Sequence, residues 1–127
     1  MENYEDFLEK KKKELQKNVP FENGTWNQEY LYEYLVSYCC IGTEKMVSAY
    51  FEQFLDNKDL LKMLFDFLLD DDYDGSDSQI GAVCIIRKMD KYVLKQFEKE
   101  LLEAQKNEIE WKRPFINEND LKEILNW

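Results

Sequence analysis

Histidine is missing from this chain altogether. With it go the commonest general base near neutral pH and the commonest transition-metal ligand. Cysteine is scarce. Its three copies, the adjacent pair Cys39 and Cys40 and the distant Cys84, form neither a disulfide framework nor a metal-ligand spacing, so all three are expected to be small buried hydrophobes. No stretch approaches the roughly 18 consecutive apolar residues of a membrane span. The segment Met1-Glu2-Asn3-Tyr4-Glu5-Asp6 is acidic and has no signal-peptide apolar region, so the chain is expected to be cytoplasmic. A glycine-rich phosphate loop, a nucleophile elbow and a helix with metal-ligand spacing are lacking too. Arg87, Lys88 and Arg113 are the only cations that could serve a substrate, and no motif surrounds them. The expectation is a protein that is not an enzyme and holds no cofactor and no metal.

What is present is a folding composition. Apolar residues make up 44% and aromatics 15%, which supports a core even though 35% of the chain is charged. At 127 residues one domain, 1–127, is expected. The net charge is −10, and it is unevenly spread. Residues 1–65 carry 12 acidic against 8 basic side chains, 66–77 carry 6 acidic and no basic, and 78–127 carry 9 of each. Such a surface repels phosphate backbones and anionic membranes and steers basic partners toward itself. Neither nucleic acid nor a membrane is expected as a ligand.

Apolar spacing of three and four predicts an all-α protein with six or seven helices and no period-two strand. Tyr4, Phe7, Leu8, Lys11 and Leu15 form one stripe of a first helix over 3–18, on which Lys10 to Lys13 are a solvated face paired with Glu9 and Glu14. Pro20, Asn23 and Gly24 punctuate a loop. Trp26, Tyr30, Leu31, Tyr34, Leu35 and Tyr38 recur at three- and four-residue intervals and predict a second helix over 27–41, with Gly42 after its end. Tyr30, Tyr34 and Tyr38 are read as core aromatics, and Tyr32, beside Glu29 and Glu33, as a surface one. Thr43 caps a third helix to Asp56, antiparallel to the second. Asn57 caps a fourth helix, which carries Leu60, Leu61, Leu64, Phe65 and Leu68.

An acidic hinge, Asp66 to Asp77, then leads into a fifth helix that is apolar nearly all round from Ile80 to Met89 and so should be central. Ser76 and Gln79 have capping-box spacing at its start. Asp90 caps a sixth helix reaching Lys106. Residues 109–116 read as a loop pinned by Trp111 and Phe115, and a last helix from Asn117 carries Leu121, Ile124 and Leu125. These hairpins suit an irregular bundle or a short HEAT-like stack.

The hinge supports two readings of chemistry. Asp70, Asp72, Asp74 and Gly75 match positions 1, 3, 5 and 6 of an EF-hand loop, but Asp77 and Gly81 fail at positions 8 and 12. A protein-binding surface fits better: Asp66, Asp70, Asp71, Asp72, Asp74 and Asp77 set on-rate and partner choice, and Tyr73, with Phe65 or Phe67 at the rim, supplies aromatic contacts. A solvated, inert turn is the alternative. In size, charge, helicity and the stretch Asp70-Asp71-Asp72-Tyr73-Asp74, the chain resembles the immunity proteins of bacterial polymorphic toxin systems. That resemblance implies a tight one-to-one complex with a basic partner, a toxin nuclease domain whose nucleic-acid-binding site is blocked. A helical scaffold or adaptor is the rival, and a calcium-binding protein the third reading.

Overall fold

A computed structural model describes residues 3–70, 72, 76–107 and 113–125. Among them eight α-helices run in the order α1 (Tyr4–Lys17), α2 (Gln28–Tyr38), α3 (Glu44–Phe51), α4 (Lys58–Leu68), α5 (Asp77–Lys88), α6 (Lys91–Lys95), α7 (Glu98–Gln105) and α8 (Glu118–Leu125). A 3-10 turn, Glu52–Phe54, extends α3. None of the described helices is long and apolar enough to cross a membrane.

Three asparagines start helices by the same device. The side chains of Asn3, Asn27 and Asn57 accept from the backbone N–H groups of Asp6, Tyr30 and Leu60 at 2.9, 3.0 and 2.9 Å, each satisfying a donor that the first turn leaves unpaired. Thr43 and Asp90 stand at N-cap positions but cap nothing with their side chains. Thr43 is buried and turns its hydroxyl to the Ser37 carbonyl at 2.7 Å, while the Asp90 backbone N–H reaches the Leu55 carbonyl at 2.9 Å.

Helix α5 is the centre of the molecule. Ser78, Gln79, Gly81, Ala82, Val83, Ile85 and Ile86 are all buried, and the helix packs on α2 along one side and α4 along another. Its approach to α2 is close enough to demand glycine: a Cβ on Gly81 would lie 2.3 Å from the Leu35 carbonyl oxygen. The core continues through Leu31, Tyr34 and Leu35 of α2, Leu60, Leu61, Leu64, Phe65, Phe67 and Leu68 of α4, and Val93, Leu94 and Leu101 beyond. The order in space is α3, α2, α5, α4, so the two hairpins meet through the first helix of one and the second of the other. A stack of translated repeats pairs like with like, and the irregular bundle is therefore the arrangement found.

Several local expectations are corrected. The segment around Asn23 and Gly24 is a small antiparallel hairpin, β1 (Phe21–Glu22) with β2 (Thr25–Trp26), where both turn residues have positive φ, 56° and 79°. Two consecutive positive φ values at Asn-Gly are the signature of the two-residue turn that suits hairpin twist. The rings of Phe21 and Trp26 from the two strands cluster with Phe54, tilted or edge-on to one another. The single sixth helix is two, α6 and α7, broken at Gln96 and Phe97. On α1 only Leu15 is buried; Tyr4 and Phe7 are 60% and 56% exposed, although Tyr4 and Leu8 touch the α2–α3 turn at Ile41 and Gly42. Gly42 does not end α2 but closes the turn to α3, with φ 101° and the Leu8 side chain against it.

Phe115 is buried as expected, whereas Trp111 lies outside the described residues. Arg87 holds this end of the chain by donating from Nε to the Pro114 carbonyl at 2.6 Å.

Candidate functional site

The capping box expected at the start of α5 is replaced by a longer reach. Gln79 does not turn back to Ser76; its side chain is fully buried, and Nε2 donates to the carbonyls of Phe67, Leu68 and Asp70 at 3.1, 3.2 and 2.9 Å. Those are carbonyls that the end of α4 leaves without helical partners. The first turn of α5 thereby fastens the last turn of α4 and fixes both ends of the acidic hinge. The Ser76 hydroxyl pairs instead with that of Ser78 at 2.7 Å.

Of the hinge residues, Asp66, Asp70, Asp72 and Asp77 are described and exposed, and Asp71, Tyr73 and Asp74 lie outside the described residues. Asp70 accepts from the Asp72 backbone N–H at 2.9 Å, a local turn. Asp66 and Asp70 are brought together on one cleft of about 280 Å3 between α4 and α7, floored by Phe65, Leu69 and Phe97 and rimmed also by Glu100 and Lys62. The Phe65 and Phe97 rings stack with centroids 6.1 Å apart. Among the described residues, neither aspartate is ion-paired. Asp77 stands apart, at the N-terminus of α5 where the helix dipole favours it, and its carbonyl accepts from Cys39 Sγ at 3.4 Å. Glu100 and Phe97 were not legible as site residues, since only the tertiary packing of α7 on α4 brings them some 30 positions back to Asp66.

A second cleft lies along the other side of α4. Tyr32 is not a surface aromatic: it packs half-buried on Phe67, centroids 6.2 Å apart, and the two rings with Gln28, Glu29 and Glu33 line a cavity of about 460 Å3. Glu29 and Glu33 also line an adjoining cavity of about 410 Å3 between α1 and α2. There Lys11 Nζ sits 3.1 Å from Glu33. The end of α4 thus divides two concave surfaces of the same kind, carboxylates around aromatic side chains. Such a lining offers acceptors and apolar surface, and what it can hold is a cation on an apolar stem.

The EF-hand register fails on geometry. Residues from Asp77 onward are helical, and Gly81, at the position of the twelfth ligand, is buried against the Leu35 backbone. Among the described residues no three histidine, cysteine, aspartate or glutamate side chains converge in a way that could hold a metal ion.

The cysteines correct the sequence reading. Cys39 and Cys40 are exposed thiols and Cys84 is half-buried. Partial burial of Cys39 Sγ, with Asp77 and Cys84 close by, pushes its pKa up to about 11. Burial likewise raises Cys84, against the pull of Arg87 and Lys88.

The cations have structural partners: Arg87 and Arg113 donate to backbone carbonyls, and Lys88 to Ser48 Oγ at 2.8 Å while lying over the Tyr38 ring.

Comparison with protein-family models, with curated proteins and with solved structures returned no match.

Proposed function

We propose that this protein is an inhibitor of the immunity type, which binds and neutralises a basic cognate protein, a toxin nuclease domain, through its acidic surface. The observation that carries the reading is the cleft of Asp66 and Asp70 with Glu100 over the stacked Phe65 and Phe97. Unpaired carboxylates beside aromatic faces attract a cationic surface from a distance and give it apolar contact on arrival. The same carboxylates occupy the place of phosphates on a nucleic-acid-binding groove, so the partner's own basic site is what they fit.

The test is capture of partners from the source organism's lysate at low and high salt, followed by association kinetics. One stoichiometric partner with a basic domain is expected, released by salt, whose association slows about tenfold at low salt for Asp66→Asn/Asp70→Asn. A partner that stays bound at high salt, or an association rate untouched by those changes, overturns the reading.

The adaptor reading has its own observation. Tyr4, Phe7 and Ile41 are 60%, 56% and 85% exposed, and the Tyr4 hydroxyl donates to the Ile41 carbonyl at 2.6 Å, so Tyr4 and Ile41 sit together. A salt-resistant partner released by Phe7→Ser/Ile41→Ser supports the adaptor.

A further inference from the structure

The packing of Phe65 on Phe97 narrows what the α4–α7 cleft takes from a basic partner. We infer that this cleft receives a lysine side chain of a basic protein, its ammonium held by Asp66, Asp70 and Glu100 and its methylene stem lying against Leu69 and Phe97. The inference rests on the basic-partner reading above and names the chemical group recognised.

Three observations carry it. First, Phe65 is 2% exposed and its ring lies on that of Phe97, centroids 6.1 Å apart and planes 23° from parallel, so a guanidinium finds no pair of open faces to lie between. What the cleft of about 280 Å3 offers is apolar side chain at Leu69 and Phe97, both half-buried, and a straight stem of methylenes covers such a surface while its charged head stays at the rim. Second, the carboxylates come from separate elements, Asp66 on α4, Asp70 just past its end and Glu100 on α7, and none of them is ion-paired among the described residues. An ammonium distributes three donors among them, whereas a guanidinium presents one planar fork suited to a single carboxylate. The negative end of α4 adds to their pull. Third, the rim is ordered before a partner arrives. Gln79 Nε2 donates to the Asp70 carbonyl at 2.9 Å and the Asp72 N–H to the Asp70 carboxylate at 2.9 Å, so holding Asp70 in place costs the complex little. Lys62 stands on the same rim without an ion pair among the described residues, a like charge that any incoming ammonium must meet.

The probes are three synthetic peptides of identical design and charge, carrying six lysines, six arginines or six 2,4-diaminobutyrates, whose amines sit on stems two methylenes shorter than that of lysine. Each is titrated into the full chain at low salt and slightly acidic pH, and binding is followed by calorimetry and 15N–1H spectra. The lysine peptide is expected to bind about tenfold tighter than the diaminobutyrate peptide, the effect of burying two methylenes, and to shift the amides of Leu69, Asp70 and Glu100. The arginine peptide is expected to bind no tighter than the lysine one. Glu100→Gln should weaken the lysine peptide by about three- to tenfold, and Lys62→Gln should tighten it by about threefold.

Equal affinity for the lysine and diaminobutyrate peptides means that only charge is recognised: the lysine cleft is overturned and the acidic-surface reading stands. An arginine peptide tenfold tighter than the lysine one, or lysine binding indifferent to both Glu100→Gln and Lys62→Gln, overturns the cleft in the same way. If none of the three peptides binds at low salt, both readings are overturned.

Discussion

At the scale of single residues, one side chain and one missing side chain decide how the centre is built. Gly81 lacks a Cβ where α5 meets the Leu35 backbone, so alanine would place an atom 2.3 Å from a carbonyl oxygen and 3.0 Å from a Cα. Alanine gains about 1 kcal/mol in helix propensity over glycine. The gain is outweighed, because the obstacle is backbone and α2 must move: Gly81→Ala is expected to lower unfolding free energy by about 2 kcal/mol, read by urea denaturation, and a neutral result would mean that the helices separate freely. Gln79 spends its amide on three carbonyls of another element, which makes it a joint between helices and not a local cap. Cys39 contributes to the alkaline pH dependence, alongside Cys84, Tyr34 and Tyr50, which burial also raises. The Cys39 thiol ionises at about 11 in the fold against an ordinary 9.0, so the folded state favours the protonated form. The stability this contributes is complete below pH 9 and lost as pH rises toward 11. Alkylation of Cys39, followed by peptide mass spectrometry, should accelerate by about tenfold per pH unit from 8 to near 11. A rate that levels off by pH 9 would show an unperturbed thiol.

At the scale of elements, what could be read from the chain was whatever repeats at helical spacing. Leu31, Tyr34 and Leu35, Leu60, Leu61, Leu64, Phe65 and Leu68, and Ile85 with Ile86 occupy the core their spacing assigns, and the all-α class follows from them. Spacing says nothing of where a helix ends in space. The stripe of α1 is real, yet Tyr4 and Phe7 are left largely in solvent and only Leu15 is buried. Neither does spacing register a break that keeps the period, which is how α6 and α7 read as one helix. The hairpin was missed although its signal was present, Asn23-Gly24 between short segments carrying Phe21 and Trp26. The acidic rim of the candidate site was legible in Asp66 and Asp70, and so was Phe65 of its aromatic floor; Phe97 and Glu100 were not, because they arrive only through packing.

The turn also gives a clean test. A Cβ on Gly24 meets nothing within 4 Å, so any cost of substitution is conformational. Gly24→Val, β-branched at φ 79°, should cost about 1–2 kcal/mol, and Gly24→Asn far less. Equal thermal stabilities for the two would show that the turn does not need the left-handed conformation.

At the scale of the whole molecule, the distribution of charge separates a working surface from an inert turn. A chain of net charge −10 repels itself in the folded state, and six of its carboxylates fall within Asp66 to Asp77 without a basic residue among them. Among the described residues no ion pair requires a charge at Asp66, Asp70 or Asp72. Asp70 uses one oxygen to accept from the Asp72 N–H, a bond an asparagine side chain can also make, and Asp66 has no ion pair among the described residues. Neutralising Asp66, Asp70 and Asp72 to asparagine should therefore stabilise the protein, by about 0.5–1 kcal/mol at low ionic strength, and the gain should shrink as salt screens the repulsion. Thermal unfolding at several salt concentrations measures both. A triple variant less stable than the parent would mean that the carboxylates hold the hinge together, and their number would then be explained by structure. A triple variant more stable but slower to associate means that stability has been given up at this surface for attraction, the balance expected of a binding site and not of a solvated turn.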